Sequence, residues 1–227
     1  MIPRRSVSVV IPSYVGHERL DRCLLALSQQ LIQPLEVIVS DDGDQDPVVP
    51  EHLCSVYGCR WLPWSRSVLR GEPVPNVAAA INRGVAAATG EILFIIQRDH
   101  VLMPDYIGRL ASRIAHGQIL TGLTHSYIGT PTQECVRGLL LYCHLPDNEY
   151  RFDVLTASGA FQARINRWQL ADGLDFAVER ASWVPMNDDP EVYYHCQPEW
   201  MLRMMLRGYA LYVDPLLRLW HIASDQL

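Results

Sequence analysis

Two neighbouring carboxylates, Asp41 and Asp42, stand where a strongly apolar run of the chain stops. The runs over residues 6–14 and 35–43 are both β-branched and both end in polar residues. Such runs are typical of strands buried on both faces of a parallel sheet, whose ligands bind at the carboxyl ends of the strands. Paired carboxylates at that edge suit donors such as a nucleobase N–H or a ribose hydroxyl. The pattern therefore predicts a ligand-binding edge that contains both acids.

A second polar group follows a later apolar run. Residues 91–96 read as another buried strand, and Gln97, Arg98, Asp99 and His100 come directly after it. Polar residues thus again occupy the position where ligands of a parallel sheet bind.

The elements between these positions indicate an α/β chain. Apolar residues recur at helical spacing between the first two strands, which predicts a strand–helix–strand unit with a right-handed crossover. A second helix is predicted over residues 77–88, with Gly90 as its left-handed cap, and a third is opened by Pro104. Residues 119–161 alternate in short runs that favour antiparallel strands, and a closing helix runs from Pro198 to Gly208 before a strand. The positions that predict the first helix are Leu20, Cys23, Leu24, Leu27 and Leu31.

Length and composition predict a folded globular chain. A chain of 227 residues that is 49% hydrophobic can build one sizeable α/β core, or two tightly joined halves. The net charge of -6 argues against nonspecific nucleic-acid binding. The apolar runs are far shorter than the roughly twenty residues of a membrane span, and the first ends in Pro12, which argues against a signal peptide. We expect a cytoplasmic chain without a transmembrane segment, with peripheral membrane association and oligomeric state left open.

Several other functions are disfavoured by missing motifs. The six cysteines form no Cys-x-x-Cys pair, so ordinary buried thiols are favoured over zinc ligands or disulfides. The first strand is followed by neither the glycine fingerprint of dinucleotide-binding enzymes nor the lysine motif of P-loop NTPases.

Read in order, these blocks resemble family 2 glycosyltransferases of the GT-A fold across nearly the whole chain. The resemblance implies one α/β domain over residues 1–227, with a mostly parallel central sheet flanked by helices. Its nucleotide-binding half covers residues 1–103 and its acceptor-side half residues 104–227. The matching blocks are VIPSY at 10–14, EVIVSDDG at 36–43, NVAAAINRG at 76–84, GEILFIIQRD at 90–99, ASGAF at 157–161, RMMLRGY at 203–209 and WH at 220–221.

The resemblance implies transfer of a sugar from a nucleotide-diphosphate donor to an acceptor hydroxyl, usually with inversion at the anomeric carbon. A UDP-sugar is favoured by its frequency in the family. A divalent cation, Mn²⁺ or Mg²⁺, would neutralise the departing diphosphate, and a base would take the acceptor's proton. The acceptor, whether a glycan, a lipid-linked glycan, a protein or a small molecule, is left open, with polysaccharide synthesis as the expected setting.

The metal motif of the family matches in part. Asp99 corresponds to the second acid of Asp-x-Asp and is expected to bind the cation, whereas Gln97 replaces the first acid and removes one negative charge. Arg98 either supplies positive charge to the phosphates or is a sheet-edge arginine. His221, which follows Trp220, is either a further metal ligand or a histidine close to the chain end.

The nucleotide-binding residues implied by the resemblance lie in three blocks. Asp41 and Asp42 are expected to contact uracil or ribose, and Pro12 and Tyr14 to line the base. In the helix block Asn82 is retained as a donor-binding residue. Ala78 and Ile81 replace the usual Gly and Arg of that block, so a contact made by that Arg is missing.

The general base is the least defined element. The family's Glu-Asp pair falls on Cys196 and Gln197, and an amide cannot accept a proton at neutral pH. Glu199 is either the base or a helix-start carboxylate, and Asp188 and Asp189 are alternatives whose other interpretation is solvated surface. Glu191 and His195 are further candidates on the same stretch.

The departures at Ile81, Gln97 and Gln197 all fall on functional positions. They motivate a second hypothesis, in which the chain is a catalytically weakened nucleotide-sugar-binding protein or a partner subunit. Three aromatics around the same loop, Trp183, Tyr193 and Tyr194, are interpreted either as sugar-stacking residues or as part of the core.

Overall fold

The computed structural model describes residues 5–43, 46–63, 67–69, 72–127, 134–135, 149–156, 159–166, 175–190 and 196–222. In chain order the elements are β1 (Val7–Ser13), α1 (His17–Ser28), β2 (Glu36–Asp41), α2 (Val48–Tyr57), β3 (Arg60–Leu62), β4 (Ser67–Leu69), β5 (Glu72–Val74), α3 (Val77–Ala87), β6 (Ile92–Ile95), β7 (His100–Leu102), α4 (Tyr106–Arg113), β8 (Gln118–Tyr127), β9 (Glu134–Cys135), β10 (Glu149–Thr156), β11 (Gly159–Asn166), β12 (Phe176–Glu179), a 3₁₀ turn (Arg180–Ser182), α5 (Cys196–Leu206) and β13 (Ala210–Ile222). None of the helices within these ranges is both long and apolar enough to cross a membrane.

The centre of the main sheet is parallel, as the apolar runs predicted. β1 pairs in parallel with β2 on one side and β6 on the other, and β3 continues the parallel order beyond β2. The full strand order is β11-β10-β13-β8-β12-β6-β1-β2-β3, with β12 antiparallel to both of its neighbours. The carboxyl ends of β1, β2 and β6 therefore lie side by side.

The core lies on both faces of this sheet. Along β1, Val10 faces a cluster that includes α3 and α5, whereas Val9 and Ile11 face a cluster that includes α1 and α4. Gly84 lets α3 approach β1 closely, because a Cβ atom there would lie 2.4 Å from Val10 Cγ1. Burial on both faces explains why these strands read as continuous apolar runs.

Two local predictions were wrong. α1 ends at Ser28, and Leu31 lies beyond it with 75% of its surface exposed. Gly90 is not a left-handed cap, since α3 ends at Ala87 with Ala88 in extended conformation. Gly90 is instead required by close packing, because a Cβ atom there would lie 2.7 Å from the backbone nitrogen of Ser8. Gly208, by contrast, has φ +91° after α5, as predicted for a cap.

Candidate active site

The acidic turn is held at the carboxyl end of β2 by contacts from both sides. Asp41 and Asp42 are 2% and 6% exposed. The Asp42 N–H donates to the Ser13 carbonyl at 2.6 Å, and Arg83 donates to the Asp41 carbonyl. The Gly43 N–H donates to Asp41 Oδ1 at 3.0 Å. These contacts fix the direction in which both carboxylates leave the sheet.

Burial changes the protonation of Asp42. Removal from water raises the pKa of its carboxyl to about 7, against the opposing effects of a hydrogen bond from the Asn76 N–H and the charges of Arg83 and Arg98. Both protonation states are therefore populated near neutral pH, so this group can either accept or donate a hydrogen bond.

Asn76 joins the acidic turn to a second segment of the chain. Its backbone N–H donates to Asp42, and its side-chain Oδ1 caps α3 by accepting from the Ala79 N–H at 3.0 Å. Its Nδ2 donates to the Asp188 carbonyl at 2.7 Å. One asparagine thus connects β2, α3 and the irregular stretch over residues 183–190.

Side chains of α3 and α5 anchor that irregular stretch. The Trp200 indole donates to the Val184 carbonyl at 2.5 Å, and Arg203 donates to the Pro185 carbonyl at 3.0 Å. Asn82 donates to the Met186 carbonyl at 2.9 Å and accepts from the Met186 N–H at 2.8 Å. Both polar groups of Asn82 are therefore used inside the protein, and its predicted contact with a nucleotide stays a prediction.

The second polar group lies in the turn between β6 and β7. Asp99 Oδ2 is 3.4 Å from His221 Nε2, because β13 pairs with β7 and sets His221 opposite His100. His100 Nδ1 lies 3.8 Å from Asp99 Oδ1. The predicted ligands Asp99 and His221 are thus brought together from positions far apart in sequence.

The surroundings of Asp99 and His100 set their protonation states. Burial acts to raise the pKa of Asp99, but contact with His221 and the nearby charges of His100 and Arg98 outweigh it and leave that pKa lowered. Burial lowers the pKa of His100 to about 4, so its imidazole is neutral at pH 7. Asp99 is accordingly ionised beside a neutral, fully enclosed histidine.

Asp99 and His221 are two side chains of the kind that can bind a divalent cation. Asp99 Oδ1 is buried and accepts no hydrogen bond, and with His221 it offers one oxygen and one imidazole nitrogen. Within the described ranges no cluster of three His, Cys, Asp or Glu residues is arranged to hold a metal. Among the described residues this pair is therefore an incomplete set of protein ligands.

The candidate bases differ in their surroundings. Glu199 is exposed in the first turn of α5 and pairs with Arg203 at 2.8 Å. Asp188 and Asp189 are exposed on the anchored stretch, and the Asp189 N–H donates to Asn187 Oδ1 at 3.1 Å. The two other candidates, Glu191 and His195, lie outside the described residues.

Gln197, at the start of α5, is buried although its side chain is polar. It is 6% exposed, and its Nε2 has no hydrogen-bond partner among the described residues. Its neighbour Cys196 is also buried, and burial, with a smaller effect from Asp42, raises the pKa of the Cys196 thiol to about 12. The influence of Asp42 shows that the start of α5 lies near the acidic turn.

The remaining predicted residues divide between the edge and the core. Pro12 is buried in β1 opposite Ser40, and Tyr14 is half-buried directly after that strand. Ile81 is fully buried against the sheet. The Trp183 ring stacks on Phe176 and packs at a tilt against Trp200, which supports the core interpretation, while Tyr193 and Tyr194 lie outside the described residues.

Two contacts around the candidate site were not predicted from the sequence. Asn76 carried a usable signal, because an asparagine directly before an apolar helical pattern is a preferred N-cap. His100 was recognised as a polar residue after a buried strand, but its proximity to His221 could not be predicted, since it depends on the pairing of β7 with β13.

A family model, that of glycosyl transferase family 2, matches residues 8–168. The chain belongs to glycosyl transferase family 2. Residues 8–168 include the acidic turn and Asp99 but not His221 or α5.

The curated relatives of this family 2 chain match over part of their length. It is 28% identical over 109 residues to glycosyltransferase GlyG of Streptococcus pneumoniae, which covers 48% of this chain and 35% of that protein. It is 28% identical over 99 residues to an uncharacterised glycosyltransferase of Haemophilus influenzae, covering 44% and 31%. The matched segments therefore span about a third of these relatives.

Solved structures show that the fold is GT-A. GalNAc-T7, solved with UDP, GalNAc and Mn²⁺, superposes with TM-score 0.70 at 17% identity over 100% of this chain and 45% of its own. Glucosyl-3-phosphoglycerate synthase from Mycobacterium tuberculosis, solved with Mn²⁺, UDP and glucosyl-3-phosphoglycerate, gives TM-score 0.58 at 18% identity over 97% and 73%. The predicted fold class is confirmed by these similarities.

Proposed function

We propose that this chain transfers a sugar from a nucleotide-diphosphate donor, a UDP-sugar by preference, to an acceptor hydroxyl with inversion. The observation that carries the proposal is the convergence of the Asp41–Asp42 turn and the Asp99–His221 pair at one edge of the parallel strands. One group suits a nucleoside and the other suits a cation on its diphosphate, which is the division of work that a nucleotide-sugar donor requires.

In this proposal the nucleoside lies against the end of β1. Asp41 and Asp42 accept from the base or ribose, and Pro12 and Tyr14 line the base. Because Asp42 is buried and held by Asn76, its orientation is set before the nucleotide arrives. The charge of Arg98, which influences both Asp42 and Asp99, favours the phosphates at the gap between the two groups.

Asp99 and His221 would hold the divalent cation, with Gln97 contributing an amide oxygen to ribose or to a bound water. The cation supplies charge neutralisation for the departing diphosphate. GalNAc-T7 and the mycobacterial synthase, which were each solved with UDP and Mn²⁺, support this assignment by fold similarity alone.

A carboxylate then takes the proton of the acceptor hydroxyl while the acceptor oxygen bonds to the anomeric carbon and the sugar–diphosphate bond breaks. Geometry favours Asp188 over Glu199, because Asn76 ties the Asp188 backbone to the acidic turn, whereas Glu199 is exposed and paired with Arg203. Asp189 is the remaining alternative. The three acids are separated by Asp188→Asn, Asp189→Asn and Glu199→Gln, since loss of the base lowers turnover far more than donor affinity.

The second candidate function is nucleotide-sugar binding without efficient transfer. It is favoured by Gln197, whose buried amide lies near the acidic turn and cannot act as a base. A donor-hydrolysis assay separates the two functions, because a binding protein retains affinity without turnover.

The test of the proposed function is calorimetric titration with UDP, GDP and their sugar derivatives, with and without Mn²⁺. We expect one nucleotide sugar to bind with metal-enhanced affinity in the wild type, and Asp99→Ala to remove that enhancement. The control is Asp105→Ala, which removes a half-exposed acid paired with Arg109 outside the site. An unchanged effect of Mn²⁺ in Asp99→Ala would exclude Asp99 as the ligand.

A further inference from the structure

Two arginine side chains meet beside Gly16, at the loop that follows β1. Gly16 has φ +86°, and its Cβ position would lie 3.3 Å from Arg98 Nε and 3.8 Å from both Arg19 Cζ and Arg19 Nε. Both guanidinium groups are therefore within 4 Å of a single point over the glycine. A Cβ atom here would require Arg98 to shift by a few tenths of an ångström, and the positive φ itself favours glycine.

This point lies on the proposed donor edge. β1 and β6 are adjacent and parallel, so the loop that carries Gly16 and the turn that carries Arg98 leave the sheet side by side. Arg98 acts electrostatically on both Asp42 and Asp99, so its charge is felt by the acidic turn and by the second polar group.

Arg19 supplies the second positive charge beside Gly16. It is half-buried in the first turn of α1, and its guanidinium makes no hydrogen bond or ion pair with any other described residue. The start of α1 also lacks a side-chain cap, so the positive end of the helix dipole adds to the same field.

Asp42 and Asp99 act on Arg98 from within the protein, and the Arg19 guanidinium adds a second positive charge beside it, which attracts an anion to the same point. Guanidinium groups bind phosphate oxygens through paired N–H donors. We propose that Arg19 and Arg98 form a phosphate-binding site that takes the diphosphate of the donor nucleotide. The inference rests on the proposed function, and it adds a component of donor affinity that needs no divalent cation.

The experiment measures UDP, UMP, uridine and pyrophosphate binding by calorimetry in EDTA, for wild type, Arg19→Met and Arg98→Met. Loss of one charged contact corresponds to roughly a tenfold fall in affinity. We expect that fall for UDP in Arg19→Met and a similar one in Arg98→Met, with uridine affinity unchanged. The control is Arg22→Met, an exposed arginine on the next turn of α1, which is expected to bind UDP like wild type.

Arg19→Lys and thermal melting guard against a folding artefact. Lysine keeps the charge but loses the fork, so we expect an intermediate UDP affinity with an unchanged melting temperature. UDP binding that is equal in wild type and Arg19→Met would overturn the arginine site and leave the proposed function standing. Pyrophosphate binding that depends on Arg19, in a wild type that binds no nucleotide, would keep the anion site and refute the nucleotide function.

The phosphate bound by the two arginines could also belong to the acceptor. If Arg19→Met left UDP affinity intact but weakened binding of glycerol phosphate to the UDP-bound protein, the two arginines would serve the acceptor and the donor assignment would be wrong. Absence of binding by wild type to every nucleotide and to pyrophosphate would refute both the site and the proposed function.

Discussion

Asp42→Asn should change how stability depends on pH. In the folded protein burial raises the pKa of Asp42 from 3.8 to about 7, whereas in the unfolded chain the group returns to its ordinary value. Between these values the folded state binds one more proton than the unfolded state, so this group's contribution to the free energy of unfolding falls as pH rises. The stability is complete below the unfolded pKa and is lost as pH rises towards the folded pKa. Asparagine keeps an oxygen that accepts from the Asn76 N–H but cannot ionise.

The size of the effect follows from the shift. Each pKa unit corresponds to about 1.4 kcal/mol, so ionised Asp42 costs the fully deprotonated protein about 4 kcal/mol. Over the window from pH 5 to pH 7 the free energy of unfolding of wild type should fall by roughly 2 kcal/mol relative to Asp42→Asn. The comparison of two variants cancels the titration of groups that the substitution leaves unaffected.

The assay is urea unfolding followed by tryptophan fluorescence at pH 5, 6 and 7, for which the chain has 6 tryptophans. Asp188→Asn is the control, since it removes one negative charge from an exposed side chain whose backbone contacts the same asparagine. A difference between Asp42→Asn and wild type that stays constant across the window would refute the argument that burial protonates Asp42. A difference that grows equally in the Asp188→Asn control would assign the effect to net charge instead.

Three further perturbations test the packing around the site. Gly84→Ala should lower the free energy of unfolding by about 1–3 kcal/mol in urea titrations, because the new Cβ would meet Val10 Cγ1 at 2.4 Å. Trp200→Phe should cost about 1 kcal/mol and speed hydrogen exchange in the segment that contains Val184, whose carbonyl loses its indole donor; unchanged exchange would mean that the bond does not anchor the segment. Glu36→Gln should destabilise the folded protein at pH 7 but not in acid. Burial acts to raise the pKa of Glu36, yet hydrogen bonds from surrounding hydroxyl and N–H groups leave that pKa lowered. The stabilisation from ionised Glu36 is therefore present above about pH 4.5 and is lost as pH falls through the folded pKa. Melting temperatures at pH 3 and pH 7 check the last of these.

The acidic turn could be predicted from sequence because its determinants are local. A strand buried on both faces is mostly apolar, and its apolar run stops at the edge of the sheet, which is where Asp41 and Asp42 stand. Asp99 follows β6 for the same reason. These rules concern a few consecutive residues, so one sequence is enough to apply them.

The anchoring of residues 183–190 could not be predicted in this way. Its stability comes from side chains of α3, its N-cap and α5 that donate to backbone carbonyls, and those donors lie up to 112 positions away, as for Asn76 and Asp188. A single asparagine or tryptophan on a helix leaves no periodic pattern that identifies such a partner. The same limit explains Gly90, whose requirement comes from the backbone of Ser8 in another strand.

The three departures from the family pattern have different physical meanings. Ile81 is fully buried in the cluster between α3 and the sheet, so the residue at this position serves packing and an arginine there would have to be accommodated in the core. Gln97 and Gln197 lie at the proposed donor edge, where each replaces a charged group by a neutral amide. The first departure is therefore structural, whereas the other two change the electrostatics of the site.

That change in charge bears on how the donor is held. Near pH 7 Asp42 is only partly ionised and both glutamines are neutral, so these three positions carry less negative charge than three carboxylates would, whereas the lowered pKa of Asp99 keeps that group anionic. Arg98 lies in the same edge. A less negative edge attracts a free divalent cation more weakly and repels a diphosphate less. The amides and the arginine thus act in the same direction, because each favours donor binding by the protein's own cations over donor binding through the metal. A weak dependence of UDP affinity on Mn²⁺ is therefore the property in which the departures at Gln97 and Gln197 should be visible together.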